Sequence, residues 1–299
     1  MNEVILNISG LTRRFGSITA VDALDLEVRR GEVYGILGPN GSGKTTTLGI
    51  VLGVVNRDKG SFTWFGQEPS ARIRQRVGST LEMPLFYPYL NGIDNLRIVA
   101  DIRGCSYDFI DNVLQRVGLF DRRYSRFRTY SLGMKQRLAI AGAMLGNPEV
   151  MIFDEPTNGL DPQGIAEIRE LILSIAAEGK TIIMASHLLD EVEKTCTHVA
   201  VLKKGKKVFS GKVSELLRNE LVVELRCDLP EKLSSELKNW DGCAAVSTEN
   251  GLIIVKLNQG YHAGTLNRYA FDNGVEINHL AIRHESLEKH FLELLAEHQ

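Results

Sequence analysis

The sequence predicts an α/β fold built around a parallel sheet and followed by a smaller α+β unit. Three observations carry that prediction. The run Gly31-Glu32-Val33-Tyr34-Gly35-Ile36-Leu37 is largely apolar, ends in a glycine-rich loop, and is followed at helical spacing by Thr46-Thr47-Leu48-Gly49-Ile50. Apolar runs at 150–153 and 181–185 flank a helical pattern around 165–177, and strands that alternate with helices form a parallel sheet. Beyond Gly211 the pattern shifts to short segments in the order βαββαβ.

In chain order, residues 3–37 read as short strands broken by Gly10, Gly16 and Gly31, with alternation in Leu24-Asp25-Leu26-Glu27-Val28. Arg57-Asp58-Lys59-Gly60 makes a turn before a strand at 61–65. Residues from about 90 to 146 form a helical block (93–102, 107–117 and 132–145) closed by Gly146-Asn147-Pro148, a cluster that ends helices. Strand patterns stand on both sides of this block, so it is expected to be an insertion between two halves of the core. Ser214 is placed to cap a short helix reaching Arg218. Then come strand 221–226, helix 230–240, strands 244–248 and 251–257, helix 263–271 and strand 275–282, the ferredoxin-like order. A last amphipathic helix is expected at 286–296, with Leu287, Phe291, Leu294 and Leu295 on one face. The expected domains are therefore 1–218 and 219–299.

Composition narrows the setting. There are 35 basic and 37 acidic residues, for a formal net charge of −2, so no basic excess points to nucleic acid as a partner. Cys105, Cys196, Cys227 and Cys243 are scattered and form no C-x-x-C pair, which fits free thiols in a reducing cytosol. No apolar run has the ~18 residues of a membrane-spanning helix. Met1-Asn2-Glu3-Val4 lacks the basic and apolar regions of a signal peptide. If the protein works at a membrane, another chain is expected to hold it there.

Gly38-Pro39-Asn40-Gly41-Ser42-Gly43-Lys44-Thr45 fits G-x-x-x-x-G-K-[ST] in the strand–loop–helix setting that this phosphate-binding pattern needs. Glycines let backbone N–H groups curl around an anion, and the following helix points its positive end at the same place. Gly38, Asn40, Gly41, Ser42, Gly43, Lys44, Thr45 and Thr46 are the expected nucleotide-binding residues. Lys44 reaches the β- and γ-phosphates in this arrangement, and the Thr45 hydroxyl ligates Mg²⁺. Val150-Met151-Ile152-Phe153-Asp154-Glu155 is a buried strand ending in two carboxylates. Asp154 is expected to hold the Mg²⁺ shell, and Glu155 to polarise the attacking water as general base.

Tyr130-Ser131-Leu132-Gly133-Met134-Lys135-Gln136-Arg137 resembles the signature motif of the ABC ATPases, commonly L-S-G-G-Q followed by K-Q-R. Ser131, Gly133, Lys135, Gln136 and Arg137 match; Tyr130, Leu132 and Met134 depart. The physics is a second anion site, a serine hydroxyl and a glycine N–H at a helix N-terminus. The resemblance extends over the first 215 or so residues, and it implies a P-loop NTPase fold of the ABC cassette type. It assigns Ser131, Leu132 and Gly133 to the ATP of the opposite subunit. Asp161, in Asn158-Gly159-Leu160-Asp161-Pro162, falls in the D-loop and is implied at the dimer interface. His187, in Ala185-Ser186-His187-Leu188-Leu189, matches the switch histidine that bonds the γ-phosphate. Phe15 falls where the family stacks an aromatic on adenine, with a core phenylalanine as the alternative.

Glu82 stands where the family has the Q-loop glutamine; a carboxylate still ligates Mg²⁺, but it adds negative charge beside the phosphates. Met83-Pro84-Leu85-Phe86-Tyr87-Pro88-Tyr89-Leu90 lies where ABC transporters receive a short helix of the membrane subunit. Gly31-Glu32-Val33-Tyr34-Gly35-Ile36-Leu37-Gly38-Pro39-Asn40-Gly41, the Ser131-Leu132-Gly133-Met134 variant and the ending Ser286-Leu287-Glu288-Lys289-His290-Phe291-Leu292-Glu293-Leu294 resemble the ATP-binding subunits of the ABC-2 type export group. They imply an ATP hydrolase on the cytoplasmic face of the cell membrane. ATP and Mg²⁺ are the implied cofactors, and the implied partners are separate integral membrane permease subunits and a second ATP-binding subunit, in the first instance another copy of this chain. The alternative is a soluble ABC ATPase acting as an assembly or regulatory factor.

Overall fold

A computed structural model of the protein describes residues 3–81, 84–216, 221–249, 251–283 and 291. Its elements begin with β1 (Val4–Phe15), β2 (Ile18–Arg29), β3 (Val33–Leu37), α1 (Lys44–Val51), β4 (Lys59–Trp64), α2 (Ala71–Gln75) and β5 (Val77–Thr80). The helical block follows as α3 (Gly92–Arg103), α4 (Asp108–Arg116) and α5 (Leu132–Met144). Next come β6 (Val150–Asp154), α6 (Pro162–Ala177), β7 (Thr181–Ser186), α7 (Leu189–Thr195), β8 (His198–Lys203), β9 (Lys206–Lys212) and α8 (Val213–Leu216). The remainder is β10 (Leu221–Cys227), α9 (Pro230–Lys238), β11 (Cys243–Glu249), β12 (Leu252–Leu257), α10 (Ala263–Asp272) and β13 (Ile277–Arg283). The chain divides into two compact units after Val213.

In the first unit a six-stranded sheet runs β5-β6-β7-β3-β8-β9. All its pairings are parallel except that of β8 with β9. Every residue of β3, β6 and β7 is buried. Strands covered on both faces carry continuous apolar runs instead of alternation, which is the pattern their sequences show. A second, antiparallel sheet runs β2-β1-β4. Its residues Leu6, Ile8, Leu24, Leu26 and Val28 share one core with Ile36, Leu48, Ile152 and Ile183. Trp64 Nε1 donates to Val51 O at 2.9 Å, fixing β4 to the end of α1.

β1 is one strand running through Gly10, where the sequence predicts a break. The register with β2 shifts between Ile8 and Leu11, and the Gly10 N–H donates to Asp25 Oδ1 at 2.7 Å. A bulge absorbs the irregularity and the ladder resumes beyond it. The β8–β9 hairpin, α2 and α7 have no counterpart in the sequence prediction, being short and weakly periodic.

The helical block sits in the chain between β5 and β6, and one glycine sets how closely it approaches the sheet. A Cβ on Gly78 of β5 would stand 2.0 Å from the carbonyl oxygen of Ala143 in α5, so only glycine lets these backbones meet. At the other end of the block Asn91 caps α3, accepting from the Asp94 N–H at 2.8 Å.

In the second unit the sheet runs β11-β12-β10-β13, antiparallel throughout. Val223, Leu225, Ile253 and Val255 pack with Leu233, Leu237, Leu266 and Ala270 of α9 and α10. Trp240 stacks on Tyr269, with centroids 4.8 Å apart. Ser214 lies inside α8 and does not cap it. The expected helix at 286–296 lies outside the described residues except for Phe291, which is helical and buried. All four cysteines are free thiols, and burial pushes that of Cys196 well up from its ordinary value. Among the described residues no helix is long and apolar enough to cross a membrane.

Below the amino ends of the parallel strands Glu149 binds two arginines, Arg76 Nε at 2.6 Å and Arg30 Nη1 at 2.9 Å. The hydrogen bond from Arg76, then that from Arg30, holds the Glu149 carboxyl below the ordinary glutamate value of 4.5. Its stabilisation is therefore complete above the unfolded-chain value and fades as pH falls through the lower folded value. These groups keep a third of their surface in water, so the effect is modest. Glu149→Gln is expected to lower the melting temperature at pH 7 and to make little difference once the pH is below the lowered folded value. Thermal denaturation across pH measures this; an equal deficit at both ends would exclude the ion pairs as its source.

Candidate functional site

The site begins where β3 ends. Asn40 and Gly41 are exposed, Gly38, Ser42, Gly43 and Lys44 are buried, Thr45 is exposed and Thr46 half-buried. Gly43 has φ +105, and a Cβ there would lie 2.3 Å from the Ala20 carbonyl oxygen. No other residue fits that turn, and with Gly43 at the N-cap position α1 starts without a side-chain cap. Its first N–H groups and the positive end of its dipole are left to an anion. The Ser42 hydroxyl is buried with no hydrogen-bond partner among the described residues, a donor that a phosphate oxygen satisfies. Lys44 Nζ donates to Gly38 O at 2.8 Å, so the ammonium stays folded over the loop.

Two further strands end beside it. β7 pairs with both β3 and β6, with Leu37 opposite Ser186 and Asp154 opposite Ala185. Gly38, Asp154, Glu155 and His187 therefore emerge from three neighbouring carboxyl ends, the place where open α/β sheets bind ligands. Asp154 is 1 % exposed. Glu155 takes the left-handed conformation, φ +49, held by its N–H bond to Ala185 O at 3.0 Å. That turn carries its carboxylate back over the loop. Glu155 Oε1 is 3.3 Å from Lys44 Nζ, and Oε2 is 2.8 Å from His187 Nδ1. Sequence-predicted cation, base and switch histidine thus form one chain of contacts.

Ser131 caps α5, accepting from the Met134 N–H at 3.2 Å. Leu132 is partly exposed, and its Cδ2 lies 3.2 Å from where a Cβ on Gly159 would stand. The departing leucine thus rests on the Asn158–Leu160 loop of its own chain. Gly133 lies near Leu160. Among the described residues no hydrogen bond or ion pair joins Ser131–Gly133 to Lys44, Glu155 or His187. Asp161 caps α6, accepting from the Gly164 N–H at 3.0 Å. Phe15 is 47 % exposed under the Arg13 guanidinium, 4.6 Å from its centroid, which removes the core alternative. Glu82 and Met83 lie outside the described residues. In the following loop Phe86 packs edge-on against Phe127 at 5.3 Å, whereas Leu85, Tyr87 and Tyr89 are exposed. Phe86 is half-buried, and its ring holds the loop down on the helical block.

Comparison with known proteins agrees with this geometry. The ABC transporter family model matches residues 21–158. The bacitracin transport ATP-binding protein BcrA of Bacillus licheniformis is 38 % identical, covering 98 % of each chain. This chain belongs to the ABC transporter ATP-binding proteins. The lantibiotic transport ATP-binding protein SrtF of Streptococcus pyogenes is 38 % identical over 74 % of this chain and all of its own. Among solved structures, cbiO1 of Clostridium perfringens, part of the ABC transporter complex cbiONQ, has a TM-score of 0.65 and 29 % identity. That match covers 73 % of this chain and 92 % of cbiO1. The protein is an ABC ATPase whose hydrolysis is coupled to transport.

One part of this ABC cassette is invisible in the sequence. Arg169 of α6 forks onto Glu191 of α7, with Nη2–Oε1 2.6 Å and Nε–Oε2 3.3 Å. Glu191 is buried. α6 starts just after its cap Asp161 and α7 starts two residues after His187, so the pair fixes one helix of the site to the other. Residues 22 positions apart in a soluble-looking helix pattern give no signal of such pairing. Arg169→Gln is expected to cost about 2 kcal/mol or more, because it strands a buried carboxylate. It should lower kcat for ATP more than it raises KM; equal kcat with lowered stability would make the pair structural only.

Proposed function

We propose that this cassette hydrolyses ATP between two subunits on the cytoplasmic face of the cell membrane and drives export through separate membrane permeases. The observation that carries it is the convergence of Lys44, Glu155 and His187 at the carboxyl ends of adjacent strands, in front of an uncapped helix. Export follows the relatives, named for bacitracin and lantibiotic transport and for Nod factor export.

The residues present suit Mg-ATP. Backbone N–H groups of 40–45 and Lys44 bind the phosphates, and exposed Phe15 offers a face for adenine. Thr45 and Asp154 supply hard oxygen donors for Mg²⁺. Among the described residues no group of three or more His, Cys, Asp or Glu could hold a metal ion. When bound, the ion neutralises charge on the transferring phosphoryl group. Glu155 accepts the proton of the attacking water, and His187 holds that carboxylate in place through Nδ1. Glu82, in the family's glutamine position, is proposed as a further ligand.

Ser131, Leu132 and Gly133 are proposed to contact the ATP of a second copy of this chain, with Asp161 at the joint. The residue of α5 that meets Gly78 is Ala143, twelve positions and roughly 18 Å along the helix from Ser131. The signature end is thus remote from the end fixed to the sheet.

Glu155→Gln is expected to bind ATP and accumulate dimer with hydrolysis reduced at least ~10²-fold, whereas Lys44→Ala weakens binding itself. Activity of dilute wild-type protein should rise more steeply than linearly with concentration. Analytical centrifugation with ATP decides the matter: full activity in a strictly monomeric sample would overturn the two-subunit site.

A further inference from the structure

Two stretches far apart in the chain lie side by side on the helical block. The Phe127 and Arg128 N–H groups donate to Leu90 O at 2.8 Å and Pro88 O at 3.0 Å, and Asn91 and Arg126 form an antiparallel bridge. The stretch 122–128 holds four arginines in seven residues. The stretch 84–93 supplies Leu85, Tyr87 and Tyr89, and neither it nor residues 122–135 contain an acid. The flanking acids are Asp121, next to Arg122, and Asp94, which pairs with Arg97 at 2.9 Å. Arg122, Arg126 and Arg128 are exposed, and among the described residues their guanidinium groups make no hydrogen bond or ion pair. Arg123 instead is tied down: its Nη1 donates to Phe120 O at 2.7 Å, and it lies 3.8 Å and 4.6 Å from the ring centroids of Phe120 and Tyr124. That contact holds Tyr124, 67 % exposed, beside the free arginines. Like charges that no neighbour of opposite sign offsets repel one another, and an anion relieves the repulsion.

We infer that this patch rests directly on a lipid bilayer, with Arg122, Arg126 and Arg128 on anionic headgroups and Tyr87, Tyr89, Tyr124 and Leu85 at the boundary with the acyl chains. The inference rests on the reading that this cassette works at a membrane face, and adds a lipid contact to it. Guanidinium forks match phosphate oxygens in pairs, and tyrosine, apolar along its ring and polar at its tip, suits the headgroup level. Leu85 is 92 % exposed, and an aliphatic side chain so placed gains most where hydrocarbon is within reach. Single-stranded nucleic acid also takes arginines and aromatic rings, but it stacks its bases on open ring faces. Here Tyr87 and Tyr89 lean on each other at 5.8 Å and 53°, and Leu85 has no part in stacking. The chain as a whole carries a formal charge of −2, so an anionic surface attracts this face and not the rest, which orients the cassette. Three free charges give a weak and reversible hold, an addition to a permease and no substitute for one.

The test floats the full-length protein with protein-free vesicles of phosphatidylcholine, with and without phosphatidylglycerol, at one ionic strength. Wild type is expected to bind the anionic vesicles roughly 10²-fold more tightly, about fivefold for each free arginine. Arg122→Gln, Arg126→Gln and Arg128→Gln together should make the two kinds of vesicle equivalent. ATP affinity and melting temperature should not change, since these side chains bond nothing within the chain. The corresponding triple lysine variant keeps the charge and should retain most of the preference. Leu85→Ser with Tyr89→Ser should weaken binding several-fold while the preference for anionic lipid survives. Equal binding of wild type to both vesicles, or a lysine variant as weak as the glutamine one, would overturn the headgroup assignment. Tighter binding to a short single-stranded oligonucleotide than to the anionic vesicles would give the patch to nucleic acid and overturn it as well. Wild type that ignores protein-free vesicles but sediments with native membranes would refute the lipid contact and leave the permease-bound reading standing. Absence from both would remove the membrane reading and this inference together.

Discussion

The hydrogen-bond register of three adjacent parallel strands is the constraint on which the site depends. β7 holds β3 on one side and β6 on the other, and their ends are level to within a residue. Loop, base and histidine meet only because of that alignment. A slip of one residue would turn each strand's side chains to the opposite face. Here both faces are buried, so every register other than the observed one pays in packing as well as in hydrogen bonds. The site inherits its precision from the ladder, and the local loop conformations add the last adjustment. Glu155 shows the adjustment most plainly. Its left-handed backbone is uncommon for a side-chain-bearing residue, and such conformations persist only where the surroundings impose them.

The phosphate loop is also clasped by parts of the chain that carry no chemistry. Gly43 abuts Ala20 of the antiparallel sheet. The Gly205 N–H, from the β8–β9 turn, donates to Ser42 O at 3.0 Å, and the Asp22 N–H donates to Gly205 O at 2.9 Å. Backbone from β2 and from the hairpin thereby grips the loop on two sides. Such contacts pre-organise the N–H groups, so little ordering remains to oppose ligand binding. They also give the second sheet a purpose beyond covering the core.

The helical block is attached to the nucleotide core through close contacts and one aromatic cluster. α5 touches β5 through backbone at Gly78, while Phe86, Phe127 and Tyr130 pack in series beneath the loop that precedes α3. Tyr130 also donates from its hydroxyl to Arg122 O at 2.8 Å. The motif position where this chain carries tyrosine is thus used to lock the start of the signature helix. Leu132, another departure, finds its space beside Gly159. Both residues are accommodated within the chain, with Ser131 and Gly133 at the head of α5.

Much of this was legible in the amino-acid sequence because it rests on local rules. The strand–loop–helix around Lys44 follows from glycine spacing and apolar periodicity, the paired carboxylates from a buried run ending in Asp154-Glu155, and the helical block from 3.6-residue patterning closed by Gly146-Asn147-Pro148. What the sequence by itself determined is therefore which residues carry the chemistry and which secondary elements hold them. The tertiary structure decided which of them meet: the contact of Glu155 with both Lys44 and His187, the fork of Arg169 on Glu191, the packing of a half-buried Phe86 on Phe127, and the hold of Arg103 on the Gln75 and Val77 carbonyls. Each of these is a relation between residues far apart in the chain. Periodicity reports only which face of an element is buried, whereas pairing across elements depends on sheet order and register, which no local pattern encodes.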